Sequence, residues 1–298
     1  MSITVTPLHP HLSAEIGGID LRSPVSTGDF AAIEAALHTH AVLVFRAQPV
    51  TAAQQMAFSR LFGPLEASTE YAGSKKSRLP EREVTDVSNL DPEGKVMAAD
   101  DLRLLFNRGN QLWHTDSSFK QVPARVSLLS AHAVPPEGGE TEFADLRAAY
   151  DALTDDKRRQ LDGLVAEHSI FRSRALIGFS DFNEEVRREL PPAQQLIVRT
   201  HPGSGRKTLY LASHASHIVG WPVEAGRALI EELIAFATQP RFVYQHRWRV
   251  GDLVMWDNRC TMHRGRPYDD TKYRRDMRRT TVSDEINSVE RERRGAAA

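Results

Sequence analysis

Two stretches far apart in the chain carry residue types that can hold a redox metal. Trp113-His114-Thr115-Asp116 sets a histidine and a carboxylate two positions apart, and a second histidine, His263, ends Trp256-Asp257-Asn258-Arg259-Cys260-Thr261-Met262-His263. On an extended strand, residues two apart project to the same side, so His114 and Asp116 can reach one ion. Two imidazoles and one carboxylate occupy one face of a ferrous ion and leave the opposite face for substrate and O₂. The nitrogen donors argue against calcium, which prefers cages of oxygen. A His-x-Asp pair is common by chance and does not carry the assignment alone.

The chain has twelve histidines. His9, His11, His38 and His40 fall in segments that read as turn or surface, and His132, His168 and His246 read as hydrogen-bonded structural residues. His214 and His217 form a His-x-x-His pair with no carboxylate in their own segment; with His201 they are left as residues that could line a site. After His263 comes a basic run, residues 272–279, with five cations in eight positions. As a strand it would place Arg274, Asp276 and Arg278 on one face and Arg275, Met277 and Arg279 on the other. Alternation alone leaves both faces open. Either would aim two guanidinium groups inward, where their planar forks suit carboxylate ligands.

The elements that must position these residues are mostly short. Ile19 and Leu21 alternate as in a strand, Thr27 is placed to cap a helix bearing Phe30, Ile33, Ala36 and Leu37, and residues 41–45 form a continuous apolar run typical of a buried strand. Residues 51–62 read as a helix stopped by Gly63-Pro64. Residues 66–111 lack periodicity and are dense in charge and turn formers, the pattern of a long active-site loop. Residues 125–134 read as a strand ending at Pro135-Pro136-Glu137-Gly138-Gly139, and residues 145–164 as a helix broken near Thr154. Strand-like segments at 196–200, 208–212, 242–248 and 252–256 surround an amphipathic helix over 223–238. This is the pattern of a mainly β sandwich or barrel decorated by helices.

Whole-chain properties narrow the classes. With 298 residues, 41% hydrophobic and 26% charged, the chain can bury a full core. We expect one domain over 1–287, with the insertion at 66–111 and a disordered tail at 288–298. Lys plus Arg number 38 against 39 Asp plus Glu, a net charge of −1 that provides no global attraction for nucleic acid or an anionic membrane. Cys260, the sole cysteine, excludes an internal disulfide and multi-cysteine metal sites. No signal-peptide pattern opens the chain and no apolar run nears the roughly 20 residues of a membrane span, so a cytoplasmic protein is expected.

Taken together, Trp113 to Phe119, Gly138-Gly139-Glu140-Thr141-Glu142-Phe143, Trp256-Asp257-Asn258-Arg259 with His263, and Arg274 through Thr281 resemble the 2-oxoglutarate-dependent taurine and 2,4-dichlorophenoxyacetate dioxygenases. The likeness runs from Leu8-His9-Pro10 to Val282. It is strongest toward the herbicide-degrading members, through Asn110-Gln111-Leu112-Trp113, residues 143–150 and residues 200–207. The resemblance implies a double-stranded β-helix, or jelly roll, with helices outside. It implies His114, Asp116 and His263 as iron(II) ligands, with 2-oxoglutarate and O₂ as cosubstrates. By the family's spacing it points Arg274 and Arg278 inward: Arg274 with Thr141 for the distal carboxylate of 2-oxoglutarate, Arg278 for the acidic group of the substrate. Lys95 and, more weakly, Ser117 are implied as substrate contacts, and Tyr71 stands where the family has a second substrate-binding lysine. Trp113, Phe106, Leu104 and Val96 are candidate water-excluding walls.

The activity so implied couples decarboxylation of 2-oxoglutarate, to succinate and CO₂, to hydroxylation of the ether-linked carbon of an aryloxyalkanoate, which then falls apart to a phenol and an oxoacid. One rival is the same chemistry on taurine, an alkylsulfonate or another small carboxylate. The other is a cupin-like metal-binding protein without catalysis, which has no need of Thr141 and two arginines in register with the metal ligands. The expected partner is a small anionic molecule, without nucleic acid or membrane; a homo-oligomer is compatible with this reading.

Overall fold

The apolar runs become strands that close on one another. The structure, a computed structural model, describes residues 3–67 and 78–296. A seven-stranded sheet runs in the spatial order Thr4–Pro7, Ala14–Gly17, Val42–Phe45, Leu253–Asp257, Ala124–Ala133, Asp276–Ser283, Thr85–Ser88. A three-stranded sheet, Val243–His246, Thr141–Asp145, Thr261–Gly265, faces it. Apart from the three N-terminal strands, neighbours in these two sheets come from distant parts of the chain, which is the wiring of a jelly roll. A smaller sheet of Ala215–Ile218, Val165–His168 and Ala193–Leu196 lies beside the two.

Side-chain alternation separates an inside from an outside. Val42, Val44, Leu129, Ala131, Val254, Trp256 and Met277 point between the sheets and meet Phe143. Their neighbours Leu43, Phe45, Val126, Leu128, Leu253, Met255 and Val282 point the other way, onto Ile33, Leu37, Phe58 and Phe62 of the N-terminal helices. Because both faces of the central strands Val42–Phe45 and Leu253–Asp257 are covered, these read as unbroken apolar runs rather than alternating ones. The long helix Val223–Ala237 buries Leu229, Ile230 and Leu233 against Leu146, Leu209, Leu211 and Ile218.

Local signals fixed most helix ends. Thr51 and Gln54 form a reciprocal capping box at Ala52–Ser59. Asp145 and Thr154 cap Leu146–Asp151 and Asp155–Leu161, which is the expected break. The first helix, Thr27–His40, is capped by Ser26, whose hydroxyl accepts from the Asp29 N–H, rather than by Thr27.

Three expectations change. The strand expected around Ile19 and Leu21 lies earlier, at Ala14–Gly17, where it pairs with Thr4–Pro7. The loop over 66–111 contains the edge strand Thr85–Ser88, the helix Leu102–Asn107 and the 3₁₀ turn Arg108–Gln111; its polar edge strand lacks the apolar alternation by which strands are read. The tail is helical over Ser288–Ala296, not disordered. Its start is tied down by Ser288, which donates to Gln195 Oε1 at 2.9 Å and accepts from the Leu196 N–H at 3.0 Å. Among the described residues no helix is long and apolar enough to cross a membrane.

Candidate metal centre and anion cleft

Backbone pairing brings the two distant histidines together. His114 N–H donates to the His263 carbonyl at 3.0 Å and His263 N–H to the His114 carbonyl at 2.8 Å, an isolated antiparallel bridge rather than the regular strand that His-x-Asp suggested. Thr115 anchors the segment from the other side, its hydroxyl donating to the Leu211 and Thr261 carbonyls. The chain then turns sharply at Ser117, a non-glycine residue with φ of 51°, leaving Asp116 aimed back at the imidazoles.

His114 Nε2 lies 3.9 Å from Asp116 Oδ1, and His263 Nε2 lies 3.7 Å from Asp116 Oδ2. One donor atom from each of the three residues falls within 4.8 Å of the other two, and all three side chains are buried. This donor set fits a metal. His114 Nδ1 lies 2.8 Å from the Leu112 carbonyl, which can only accept, so Nδ1 carries the proton and Nε2 presents its lone pair. Burial lowers the pKa of His114 and, more strongly, of His263, so both stay neutral as ligands must. Burial opposes ionisation of Asp116 too, but Arg279, His263, His114 and the Ser127 hydroxyl outweigh it and hold the carboxyl at about 2.

The cleft beside these residues is lined by Leu104, Leu129, Thr141, Trp256, Arg275 and Arg279 among others. The strand phase is therefore opposite to the one implied by the resemblance. Arg274 is exposed, and Arg278 faces the outer side with His132 and Arg78. Met277 decides the matter physically: it is fully buried between the sheets, so Arg275 and Arg279, two positions either side, are carried inward with it. Asp276 is carried outward, where Arg78 donates to both of its oxygens.

Arg279 donates to Asp116 Oδ1 at 2.5 Å. Arg275 is 9% exposed, its pKa is lowered by burial, and among the described residues it forms no ion pair with a carboxylate. A buried guanidinium without an anion is costly, and a bound carboxylate would relieve it. The paired glycines serve the turn behind this wall: Gly138 and Gly139 both have φ near 70°, and a Cβ on Gly138 would come 2.5 Å from the Pro267 carbonyl oxygen. Thr141 follows on the next strand with its hydroxyl accepting from Trp248 Nε1 at 3.0 Å.

The remaining candidates are placed elsewhere. Lys95 is exposed on the turn after Asp91 and does not line the cleft. Ser117 also stays outside the cleft lining, because its hydroxyl donates to Glu66, which also binds Lys120. Tyr71 lies outside the described residues. Of the proposed walls, Leu104 lines the cleft, Phe106 packs on Phe179, Trp113 lies under Arg264, and Val96 bridges to Leu90. His214 flanks His114 with ring centroids 6.1 Å apart but binds Ser173; His201 binds Asp257; His217 sits near Glu167. His201, Asp257 and Cys260 also cluster closely enough to suggest a metal, yet Arg259 donates to both Asp257 oxygens at 2.9 and 2.6 Å and supplies the charge they need. Sequence reasoning missed Ser88, Asn89, Asn107, Arg108, Tyr268 and Asp270 of the lining. They lie in irregular backbone or at the ends of short elements, where no periodic signal marks them.

The profile of the taurine catabolism dioxygenase TauD, TfdA family matches residues 4–281. The chain is 50% identical over 285 residues to an alpha-ketoglutarate-dependent 2,4-dichlorophenoxyacetate dioxygenase of Cupriavidus pinatubonensis, covering 96% of this chain and 99% of that protein. It is 35% identical to an (S)-phenoxypropionate/alpha-ketoglutarate-dioxygenase of Sphingobium herbicidovorans, over 91% of each. Among solved structures, AAD-2 in complex with Mn(II) and N-oxalylglycine superposes with a TM-score of 0.88 at 47% identity, covering 97% of this chain and 99% of that one.

Proposed function

The chain belongs to the taurine catabolism dioxygenase TauD, TfdA family, and from that premise we propose that it hydroxylates the ether-linked carbon of an aryloxyalkanoate such as 2,4-dichlorophenoxyacetate. It is an oxidoreductase that depends on iron(II), 2-oxoglutarate and O₂. The observation that carries the reading is the pair of inward arginines, Arg275 and Arg279, in one cleft with His114, Asp116 and His263. A protein that only stored metal would have no use for two cations aimed at organic anions.

In this reading His114, Asp116 and His263 would hold the iron, which when bound joins O₂ to 2-oxoglutarate and supplies the oxidising power for hydroxylation. The residues of the chain bind, orient and exclude water. Arg275, in the same cleft as Thr141, takes the distal carboxylate of 2-oxoglutarate, and burial makes that pairing strong. Arg279, already against Asp116, takes the substrate carboxylate, so the neighbouring ether-linked carbon is the one presented to the metal. Tyr268, whose phenol is pushed up to about 12 by burial, remains a neutral donor on the wall. Leu104, Leu129 and Trp256 provide the apolar surface. Hydroxylation at that carbon gives a hemiacetal, whose collapse releases a phenol and the oxoacid, with one succinate and one CO₂ formed per O₂ consumed.

The test incubates the protein with iron(II), ascorbate, 2-oxoglutarate and either 2,4-dichlorophenoxyacetate, each enantiomer of a 2-aryloxypropionate, or taurine. Phenol equal to succinate, and no sulfite, is expected. Sulfite from taurine with no phenol from the ethers would assign the chain to sulfonates instead, and absence of succinate with every substrate would remove the oxygenase reading.

A further inference from the structure

Asp116 is held by more than the groups it shares the centre with. Ser127, fully buried on the central strand Ala124–Ala133, donates to Asp116 Oδ2 at 2.7 Å. Asn258, also fully buried, donates from Nδ2 to Ser127 Oγ at 2.9 Å. The side-chain oxygen of Asn258 accepts the Asp116 backbone N–H at 3.2 Å and Trp256 Nε1–H at 3.1 Å. One asparagine thus grips both the backbone of Asp116 and the hydroxyl that orients its carboxylate.

The directions in this network are fixed by chemistry. The ionised carboxylate can only accept, so the Ser127 proton must point at Asp116, which leaves the Ser127 oxygen to accept from an amide N–H. Trp256 Nε1–H can only donate, so Asn258 must turn its oxygen toward Trp256 and Asp116 and its nitrogen toward Ser127. Each polar group has one consistent orientation, and none of it requires solvent. The carboxylate is therefore set before any ion arrives.

We infer that Ser127 and Asn258 are positioning residues for the metal-binding carboxylate: they fix which Asp116 oxygen is turned to the ion and reduce the reorganisation needed to bind it. This rests on the reading of His114, Asp116 and His263 as metal ligands. Partners of ligating carboxylates typically contribute tenfold to a hundredfold to metal affinity, so an effect of roughly that size is expected.

Packing and hydrogen bonding are separated by comparing Ser127→Thr with Ser127→Val, which have nearly the same shape and differ in the hydroxyl; Ser127→Ala is a smaller variant should the branched ones fail to fold. Mn(II) affinity is measured by calorimetry on chelator-treated protein, and the visible spectrum of the Co(II)-substituted protein reports ligand geometry. Loss of roughly tenfold to a hundredfold in affinity is expected for Val and Ala, with an altered Co(II) spectrum, and recovery with Thr. Equal affinity of Ala and wild type, or Thr no better than Val, would overturn the role of Ser127. Failure of the wild-type protein itself to bind Mn(II) would instead defeat the metal reading.

Discussion

Arg275 and Arg274 are adjacent and chemically identical, and only their direction separates them. Arg275 is buried and lines the same cleft as Thr141, whereas Arg274 is exposed. Replacing Arg275 by Gln would leave a bound carboxylate without its charged partner, a loss of about 2–3 kcal/mol, or roughly thirtyfold to 150-fold in the 2-oxoglutarate KM. Arg274→Gln should leave that KM unchanged. Succinate formation titrated against 2-oxoglutarate distinguishes them, and an equal effect of the two variants would refute the inward phase found here. The same sequence that hid this phase also held its cue. Met277 is the lone apolar residue among the cations, and the face it shares with Arg275 and Arg279 is the one that a core must claim. His114, Asp116 and His263 were legible because their types are distinctive. Ser127 was not, since nothing local distinguishes a serine that holds a carboxylate from one that merely fits a strand.

At the level of elements, runs of apolar residues announced the central strands, and Thr51, Asp145 and Thr154 announced their helices. The edge strand Thr85–Ser88 was silent because one partner, Asp276–Arg279, rather than a hydrophobic pattern, defines it. The turn at Gly138-Gly139 joins two of these elements, the long strand Ala124–Ala133 and the strand that opens with Thr141. Gly138→Ala would force a side chain into the left-handed region and against the Pro267 carbonyl, only 2.5 Å from the new Cβ. A destabilisation of about 1–3 kcal/mol is expected from the strained backbone alone. The neighbouring Gly139 faces Arg275, whose Cδ would lie 3.5 Å from a Cβ placed there, so a shifted turn should also weaken 2-oxoglutarate binding. Thermal melts and the 2-oxoglutarate KM of the variant check both effects. An unchanged melting temperature would show that the turn relaxes without cost.

For the molecule as a whole, acid stability is governed by histidines held neutral in the interior. The His168 pKa is lowered to about 3 by burial, with Arg199 adding to the effect. His246 is lowered as well, because burial outweighs its bond to Asp252. The folded protein therefore refuses protons that the unfolded chain takes up below about 6.5. By linkage, stability is level above that pH and falls as the pH drops toward 3, by at most about 1.4 kcal/mol per pH unit for each such histidine. Asp116 contributes in the opposite sense to the histidines' charge but also loses stability in acid. Its carboxyl titrates at about 2 when folded against 3.8 unfolded, so its share is intact above about 3.8 and disappears only as the pH falls through 2. The first losses on acidification must come from the histidines. Chelator-treated protein should melt at nearly constant temperature from pH 8 to 7 and progressively lower from 6.5 to 5. His168→Gln, which keeps a polar side chain opposite Ser118, should flatten that decline by up to one proton's worth. A melting temperature that holds steady down to pH 5, or a His168→Gln slope equal to that of the parent, would mean that the interior admits protons or water that this packing excludes.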